Sequence, residues 1–255
     1  MQVAEFYNRD FLRDNYVFKK PCRELEHYID FFWQSNYSFD EDVSIKTFPR
    51  LGSTLLINLG NPFTFLKGNV SCAINEPVYY VRNKPITTLH APGNLLFGVQ
   101  FTINLPLLFK KTFAPTNEAW PLNKFFEPRT INSMVAENDF NGRVQIIEQV
   151  LINRLSDKLA YKAGIINNAL TLMSKNANEG YPIKQVCNNI GCSPKTLERY
   201  FTQHLNLTPK KAAGIIRARS AIDKYVNSRE KFKPHLSGYY DASHFYKQIN
   251  RFTAG

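Results

Sequence analysis

The pattern of apolar residues changes once along the chain, and that change constrains the fold most. Between residues 43 and 104, short apolar or alternating runs are separated by glycine and proline; the runs cover 43–48, 54–59, 78–81 and 95–102. Such punctuated short runs indicate an antiparallel sheet or barrel. After residue 143, apolar residues recur at helical spacing instead. The sequence therefore predicts an α+β protein with a β-barrel-like first half, flanking helices and an all-α end.

Several helices are expected to flank the β-rich part. Helical spacing marks the entry segment at Leu25, Tyr28, Ile29, Phe32 and Trp33, and a short candidate helix covers 105–113. Residues 143–159 carry an apolar stripe that faces either the core or a second copy of the chain, at Ile147, Val150, Leu151 and Leu155. Helix continues over 165–173. The polar segment 175–180 predicts a boundary between domains 1–178 and 179–255.

Composition excludes several classes of protein. Apolar residues make up 44% of the 255 residues, which favours folded domains over disorder. No apolar run approaches the roughly 20 residues that cross a bilayer, and the first residues lack a signal peptide's apolar core, so a cytoplasmic protein is expected. The four cysteines form no CxxC pair, which argues against zinc and favours reduced structural thiols. Neither a phosphate-binding loop nor a hydrolase motif occurs, so we expect no enzyme and no cofactor.

The positive charge of the chain is concentrated at its end. Residues 181–255 hold 13 Lys and Arg against four Asp and Glu, a net charge of +9, whereas residues 1–180 hold 19 against 17, a net charge of +2. A nearly neutral body with a basic end is typical of a protein that meets a polyanion such as nucleic acid. A soluble basic domain without such a partner is the alternative.

The basic end begins with a helix, a turn and a second helix. A first helix is predicted over 182–190, and Gly191 permits a tight reversal. Ser193 can cap the next helix, with Pro194 at its first position. The side chains that recur every fourth residue on that helix should pack inward; they are Leu197, Phe201 and Leu205.

The opposite side of that helix is polar and suits the major groove of DNA. Its residues are Lys195, Thr196, Glu198, Arg199 and Gln203. Arginine can donate twice to guanine, glutamate can accept from cytosine, and lysine can reach guanine or phosphate. An ordinary amphipathic helix with a solvated charged face would show the same pattern, and for this helix alone both interpretations stay open.

A second set of the same signals follows after a long helix. Thr208 and Pro209 start that helix, which is predicted to run to about residue 227. Pro234 cannot lie within a regular helix, so a short helix is expected to start there. Gly238 provides the next turn and Asp241 the next cap, while Phe245, Ile249 and Phe252 face inward and Ser243, His244 and Lys247 lie elsewhere. Two helix-turn-helix units joined by one long helix could address successive major grooves.

These residues carry a family resemblance. Residues 193–201 followed by 207–209 resemble the first helix-turn-helix unit of AraC/XylS transcription regulators, and residues 238–245 with 252–255 resemble the second. The resemblance implies base or backbone contacts from Lys195, Glu198, Arg199, Ala242, Ser243, His244 and Lys247. The chain departs from the family at Pro234 and stops at Gly255, where the pattern normally continues, so either the second unit or the given sequence is shortened.

The N-terminal half resembles the domain that some AraC-type regulators carry there, through residues 22–33, 49–59 and 96–101. The resemblance implies a cupin-like β-barrel for effector binding or dimerisation. An aromatic pocket could form from Trp33, Phe63, Phe65, Phe97 and Phe101, although such residues more often pack as core.

The expected partner is double-stranded promoter DNA, and the family also allows RNA polymerase, a small-molecule effector and a second copy of the chain. The alternative is a ligand-binding or protein-interaction module whose shortened tail no longer reads an operator.

Overall fold

The computed structural model describes residues 2–5, 15–37, 40–67, 70–82, 84–104, 108–109, 119–178, 182–227 and 233–253. The chain divides into two compact units, residues 1–159 and residues 160–254. Strands lie in the first unit, and the second consists of helices and turns within the described residues. The predicted α+β class is confirmed, since β structure and helix are segregated along the chain.

The strands of the first unit form two sheets. In chain order they are β1 (Gln2–Glu5), β2 (Tyr16–Lys19), β3 (Ile29–Tyr37), β4 (Val43–Thr47), β5 (Ser53–Asn58), β6 (Phe63–Lys67), β7 (Val70–Ile74), β8 (Val78–Val81), β9 (Ile86–His90), β10 (Asn94–Phe101) and β11 (Trp120–Pro121). One sheet has the order β1-β4-β9-β6-β7 and the other β11-β8-β5-β10-β3-β2. Neighbours are antiparallel except β1 and β4, which pair in parallel.

The two sheets share one apolar core. It takes residues from both sheets: Tyr37, Leu56, Val78, Tyr80 and Leu96 from one, and Val43, Ile45, Phe63 and Ile74 from the other. Each strand therefore contributes the side chains of one face to this layer, as the two-residue repeat of a strand dictates. The finer assignment of a cupin-like barrel stays a prediction.

The four predicted strands are confirmed as β4, β5, β8 and β10, whereas the helix predicted in the entry segment is wrong. Only Arg23–Leu25 form a turn of 3-10 helix, and β3 begins at Ile29. Ile29 and Phe32 are both buried, and the strand pairs with β2 and β10. A strand covered on both faces carries apolar residues at consecutive positions, and such a run also satisfies a helical template.

Two helices follow the strands in the first unit, α1 (Pro128–Ala136) and α2 (Phe140–Ile152). The helix predicted over 143–159 therefore ends earlier, and Leu155 lies outside it. Ile147 and Leu151 have no exposed surface, so these two residues of the stripe belong to the core, whereas Val150 and Leu155 stay partly exposed. Arg143 is buried beside them, where its Nη1 donates to Gln34 Oε1 at 2.8 Å and ties α2 to β3. Desolvation by burial lowers the pKa of this guanidinium.

The second unit contains five α-helices among its described residues. They are α3 (Asp157–Lys175), whose first residues precede the unit, α4 (Ile183–Ile190), α5 (Pro194–Leu205), α6 (Pro209–Asn227) and α7 (Ala242–Thr253). Because α3 lies almost wholly within this unit, the compact unit starts before residue 179. The functional division into 1–178 and 179–255 stays a prediction. The candidate helix at 105–113 falls almost wholly outside the described residues.

The helix boundaries of the basic end follow the sequence signals closely. Gly191 and Gly238 have left-handed φ values of 67° and 76°. At Gly238 a Cβ atom would also come within 2.7 Å of the carbonyl oxygen of Asn178, so that glycine serves close packing as well as the turn. Pro234 begins a short 3-10 helix, Pro234–Ser237, as predicted. Among the described residues, no helix combines the length and the apolarity that a membrane span requires.

Candidate nucleic-acid interface

A tight turn joins α4 to α5, the first pair of packed helices in the basic end. Gly191 donates its N–H to the carbonyl oxygen of Asn188 at 3.4 Å, and Cys192 donates to that of Cys187 at 3.1 Å. These two bonds with a left-handed glycine form a Schellman motif, which satisfies the last carbonyls of a helix while the chain reverses. The direction in which α5 leaves α4 is thereby fixed by backbone bonds.

Helix α5 starts at a side-chain cap, as predicted. The Oγ atom of Ser193 accepts the N–H of Thr196 at 3.1 Å, and Pro194 occupies the first helical position. Such a cap contributes about 1 kcal/mol to helix stability. The Thr196 hydroxyl lies 2.9 Å from Ser193 Oγ, so this predicted contact residue also takes part in the cap.

One side of α5 forms the core of the second unit. Leu197, Phe201 and Leu205 have no exposed surface, which confirms the predicted inward stripe. Their spacing of four residues places them on one face of a helix. The orientation of α5 about its own axis therefore depends on these three side chains.

The opposite side of α5 brings the predicted residues of the first unit together. Lys195, Glu198 and Arg199 are exposed, and Thr196 is partly exposed. Together with Ser193, Thr202 and Gln203 they border one open surface. Thr202 was not predicted, although its position three residues after Arg199 on the same helix face was a sufficient signal. This surface is polar, carries both signs of charge and contains no residue needed for the core.

Helix α7 is capped in a different way, and the cap uses a predicted contact residue. Asp241 Oδ1 accepts the N–H of His244 at 2.6 Å, which confirms Asp241 as the cap. In return, His244 Nδ1 accepts the N–H of Tyr240 at 3.2 Å, and its ring packs edge-on against Tyr239. His244 is therefore half-buried and helps to hold the turn, which leaves only Nε2 available for a partner outside the chain.

The remaining predicted residues of the second helix are accessible. Ala242, Ser243 and Lys247 are exposed on α7, while Phe245 on its other side is buried against Ala221 and Tyr239. Sequence reasoning missed Tyr240, whose side chain is 89% exposed directly before this helix. A large aromatic residue at a turn gives no periodic signal, so only the structure identifies it.

A histidine lies buried beneath the polar surface of α5. His204 is 2% exposed, and neither ring nitrogen has a hydrogen-bond partner among the described residues. Burial, and to a lesser degree the nearby charge of Lys162, lowers its pKa to about 4. The ring is therefore neutral near neutral pH, because a buried cation without a partner costs several kcal/mol.

The first unit contains a small cavity between its sheets, lined partly by the predicted aromatics. Trp33, Phe63 and Phe65 line it, whereas Phe97 and Phe101 lie on the opposite face of β10. There Phe97 packs against Phe140 of α2, so these two residues belong to the core. The cavity measures about 50 Å³, room for a few water molecules at roughly 10–15 Å³ each.

Polar groups are also present in this cavity wall. Arg50 forms an ion pair with Asp30 at 2.5 Å, and the buried His90 bonds to Asn94 and Thr88 at 2.9 and 2.8 Å. Burial lowers the pKa of His90 to about 4, so it lines the cavity as a neutral ring. Within the described ranges, no group of three or more His, Cys, Asp and Glu residues is placed to hold a metal ion.

Comparisons with known proteins found similarity in solved structures alone. No family model and no curated protein match the chain. ToxT from Vibrio cholerae O395 has 13% sequence identity and a TM-score of 0.47, covering 88% of this chain and 94% of ToxT. ToxT from Vibrio cholerae strain SCE256 with a bound unsaturated fatty acid has 11% sequence identity and a TM-score of 0.46, covering 88% of this chain and 92% of ToxT. The AraC-like transcriptional activator CuxR has 10% sequence identity and a TM-score of 0.30, covering 76% of this chain and 83% of CuxR. These values are too low to transfer a function.

Proposed function

We propose that the chain is a sequence-specific DNA-binding regulator of transcription of the AraC type. The observation that carries the proposal is the division of α5 into two faces. Leu197, Phe201 and Leu205 are fully buried, while Lys195, Glu198 and Arg199 are exposed on a helix that is capped and follows a fixed turn. A recognition helix needs this combination, because its base contacts must be rigidly placed and yet accessible.

The exposed residues of α5 supply the chemistry for reading base pairs. Arg199 can donate two hydrogen bonds to the O6 and N7 atoms of guanine, and Glu198 can accept one from the N4 amine of cytosine. Lys195 can reach guanine or a phosphate group. These contacts would discriminate mainly G·C pairs, at about 1–3 kcal/mol for each good bidentate pair.

The second helix offers a different set of contacts. Ala242 can pack against a thymine methyl group, Ser243 can bond to several base edges, and Lys247 can reach guanine or phosphate. Because His244 already supports the turn, we assign it a positioning role with at most one contact through Nε2. The second unit would thus tolerate more sequences than the first.

The connecting helix has a length compatible with two successive grooves. Helix α6 contains 19 residues and spans about 28 Å at about 1.5 Å per residue. Successive major-groove faces on one side of B-DNA lie about 34 Å apart. Lys210 and Lys211, exposed at the start of α6, can contact phosphate groups and add affinity that does not depend on sequence.

The proposal also includes partners other than DNA, through which binding would be regulated. A small-molecule effector in the first unit, RNA polymerase and a second copy of the chain are included in the proposal, as is a cytoplasmic location. The net charge of +9 over residues 181–255 predicts an affinity that falls steeply as salt is added.

An alanine substitution at Arg199 tests the assignment of α5. Binding sites are first selected from random DNA, and affinities for a selected site and for unselected DNA are then measured at several salt concentrations. We expect Arg199→Ala to weaken binding to the selected site by about 10–100-fold, since 1.4 kcal/mol corresponds to a factor of ten. The affinity for unselected DNA should change much less.

Arg129→Ala is the matched control, because it removes an exposed arginine from α1 in the first unit and should change neither affinity substantially. Equal losses on both DNAs would reassign Arg199 to phosphate contact. If the unaltered chain enriches no sequence and binds all DNA alike, the regulator proposal fails and the alternative of an interaction module is favoured.

A further inference from the structure

The turn of the first helix pair holds two cysteines. Cys187 lies in the last turn of α4, and Cys192 follows Gly191 directly before the cap residue Ser193. We infer that Cys187 and Cys192 form a reversible intramolecular disulfide, which makes this turn an oxidation site. The inference goes beyond DNA binding and depends on the proposed function only for its regulatory consequence.

The backbone of the turn brings the two residues together. The N–H of Cys192 donates to the carbonyl oxygen of Cys187 at 3.1 Å, which is the longer-range bond of the Schellman motif. In such motifs the side chains at these two positions commonly make a hydrophobic contact. Here both positions are cysteine, and both thiols are free. A disulfide requires Cα atoms about 4.4–6.8 Å apart, a separation that this closed turn can provide.

The two thiols differ in exposure, which suggests an order of reaction. Cys187 is 1% exposed, and burial together with the neighbouring Cys192 thiol raises its pKa. Cys192 is partly exposed and can meet a reagent from solution. Cys192 is therefore the residue that reacts first, and Cys187 is the residue that resolves the intermediate.

With a peroxide as oxidant, the reaction balances in two steps. The Cys192 thiolate attacks one peroxide oxygen to give a sulfenic acid, and the other oxygen leaves as hydroxide and takes up the thiol proton as water. The Cys187 sulfur then attacks the Cys192 sulfur and expels a second water, so that two thiols and one hydrogen peroxide give one disulfide and two waters. A small dithiol reductant reverses the change by thiol–disulfide exchange.

The bond would act on the start of α5. Its sulfur–sulfur length of about 2.05 Å is much shorter than a contact between separate sulfur atoms, so closing it fixes the side-chain torsions of both cysteines, and we expect it to pull the Cys192 backbone towards α4. Ser193, which caps α5, is the next residue and would be displaced with it. Contacts to bases tolerate displacements of only about 0.5 Å. We therefore expect oxidation to weaken the contacts that the first residues of α5 make with DNA.

Peptide mapping of the full chain tests the disulfide without any DNA. Trypsin cleaves after Lys184 and Lys195, so one peptide carries both cysteines. After hydrogen peroxide treatment and alkylation under denaturing conditions, we expect this peptide to be two hydrogens lighter and free of alkyl groups. Reduction with dithiothreitol should restore two alkylation sites.

A variant with Cys22→Ser and Cys72→Ser should behave in the same way, because it keeps the pair and removes the other two thiols. Cys192→Ser should leave Cys187 fully alkylated after the same treatment. The inference is overturned if both cysteines stay alkylated in the oxidised chain, or if Cys192 carries a higher oxide while Cys187 remains a free thiol.

The regulatory consequence has a separate readout. In the Cys22→Ser, Cys72→Ser background, oxidation should lower the affinity for a selected DNA site by about tenfold or more, on the order of one lost base contact. Adding Cys192→Ser should abolish that response. Unchanged affinity with a fully formed disulfide would overturn the regulatory consequence, whereas absence of specific binding by the reduced chain would refute the proposed function instead.

Discussion

Replacing Phe201 with alanine should destabilise the second unit by about 3–5 kcal/mol. The Phe201 side chain has no exposed surface and lies midway along the inward stripe of α5. Its removal would leave a cavity that the stiff helix cannot close, and the loss is a large fraction of the whole stability of many domains, about 5–15 kcal/mol. Urea unfolding followed by far-ultraviolet circular dichroism should show an earlier transition for the helices.

Tryptophan fluorescence can show which unit loses stability. Its two tryptophans, Trp33 and Trp120, both belong to the first unit, so their fluorescence reports on that unit. The fluorescence transition should move less than the circular dichroism transition. Tyr240→Ala is the matched control, since it truncates a ring that is 89% exposed and should cost little. If Phe201→Ala costs no more than Tyr240→Ala, the inward stripe of α5 has been assigned incorrectly.

Replacing His204 with leucine should stabilise the second unit, and the gain should increase as the solution becomes acidic. The folded chain holds the pKa of His204 near 4, against 6.5 for an ordinary histidine. Between these values the unfolded chain binds a proton that the folded chain does not, so the histidine's contribution is intact above about 6.5 and is lost as the pH falls to about 4. At 1.36 kcal/mol per pKa unit, the full difference is about 3 kcal/mol.

The measurement is urea unfolding by circular dichroism at a series of pH values. The unaltered chain should lose stability in the second unit between about pH 6.5 and 4, and His204→Leu should lose less. His90 of the first unit keeps its own lowered pKa in both chains, so the tryptophan transition should shift equally with acid and serves as the control. Parallel pH profiles for the helical transitions of the two chains would contradict a buried neutral His204.

The local structure of the basic end could be predicted because each signal there acts through neighbouring residues. Gly191 and Gly238 adopt left-handed backbone angles, while Ser193 and Asp241 cap the helices that follow them. Apart from the close packing of Gly238 against Asn178, these choices depend only on neighbouring residues. The inward stripe at Leu197, Phe201 and Leu205 is equally local, since helical periodicity alone defines it.

The predictions that were wrong depended on distant packing. Ile29 and Phe32 lie on a strand because β2 and β10 pair with that strand. No residue near the entry segment indicates that this pairing occurs. Phe97 and Phe65 look alike in sequence, yet one packs against α2 and the other lines the cavity. The side on which a strand residue lies follows from register, which is set across the sheet.

The candidate site also combines features that neighbouring residues determine with features that depend on the folded structure. The exposed set at Lys195, Glu198 and Arg199 was predictable from helical spacing, whereas the capping role of the His244 ring was not. The pairing of Cys187 with Cys192 was not predictable either, because cysteines five residues apart match no familiar metal or redox spacing. The Schellman turn makes them neighbours through a bond between backbone atoms.

The separation of faces on α5 makes this helix a suitable scaffold for engineering. Lys195, Glu198, Arg199 and Gln203 can be varied together, since exposed positions away from caps and core usually change stability by no more than about 0.5 kcal/mol. A combinatorial library at these four codons, displayed on an otherwise unaltered chain, would remain folded in most members. Selection from such a library could yield chains with new target preferences while the buried stripe stays constant.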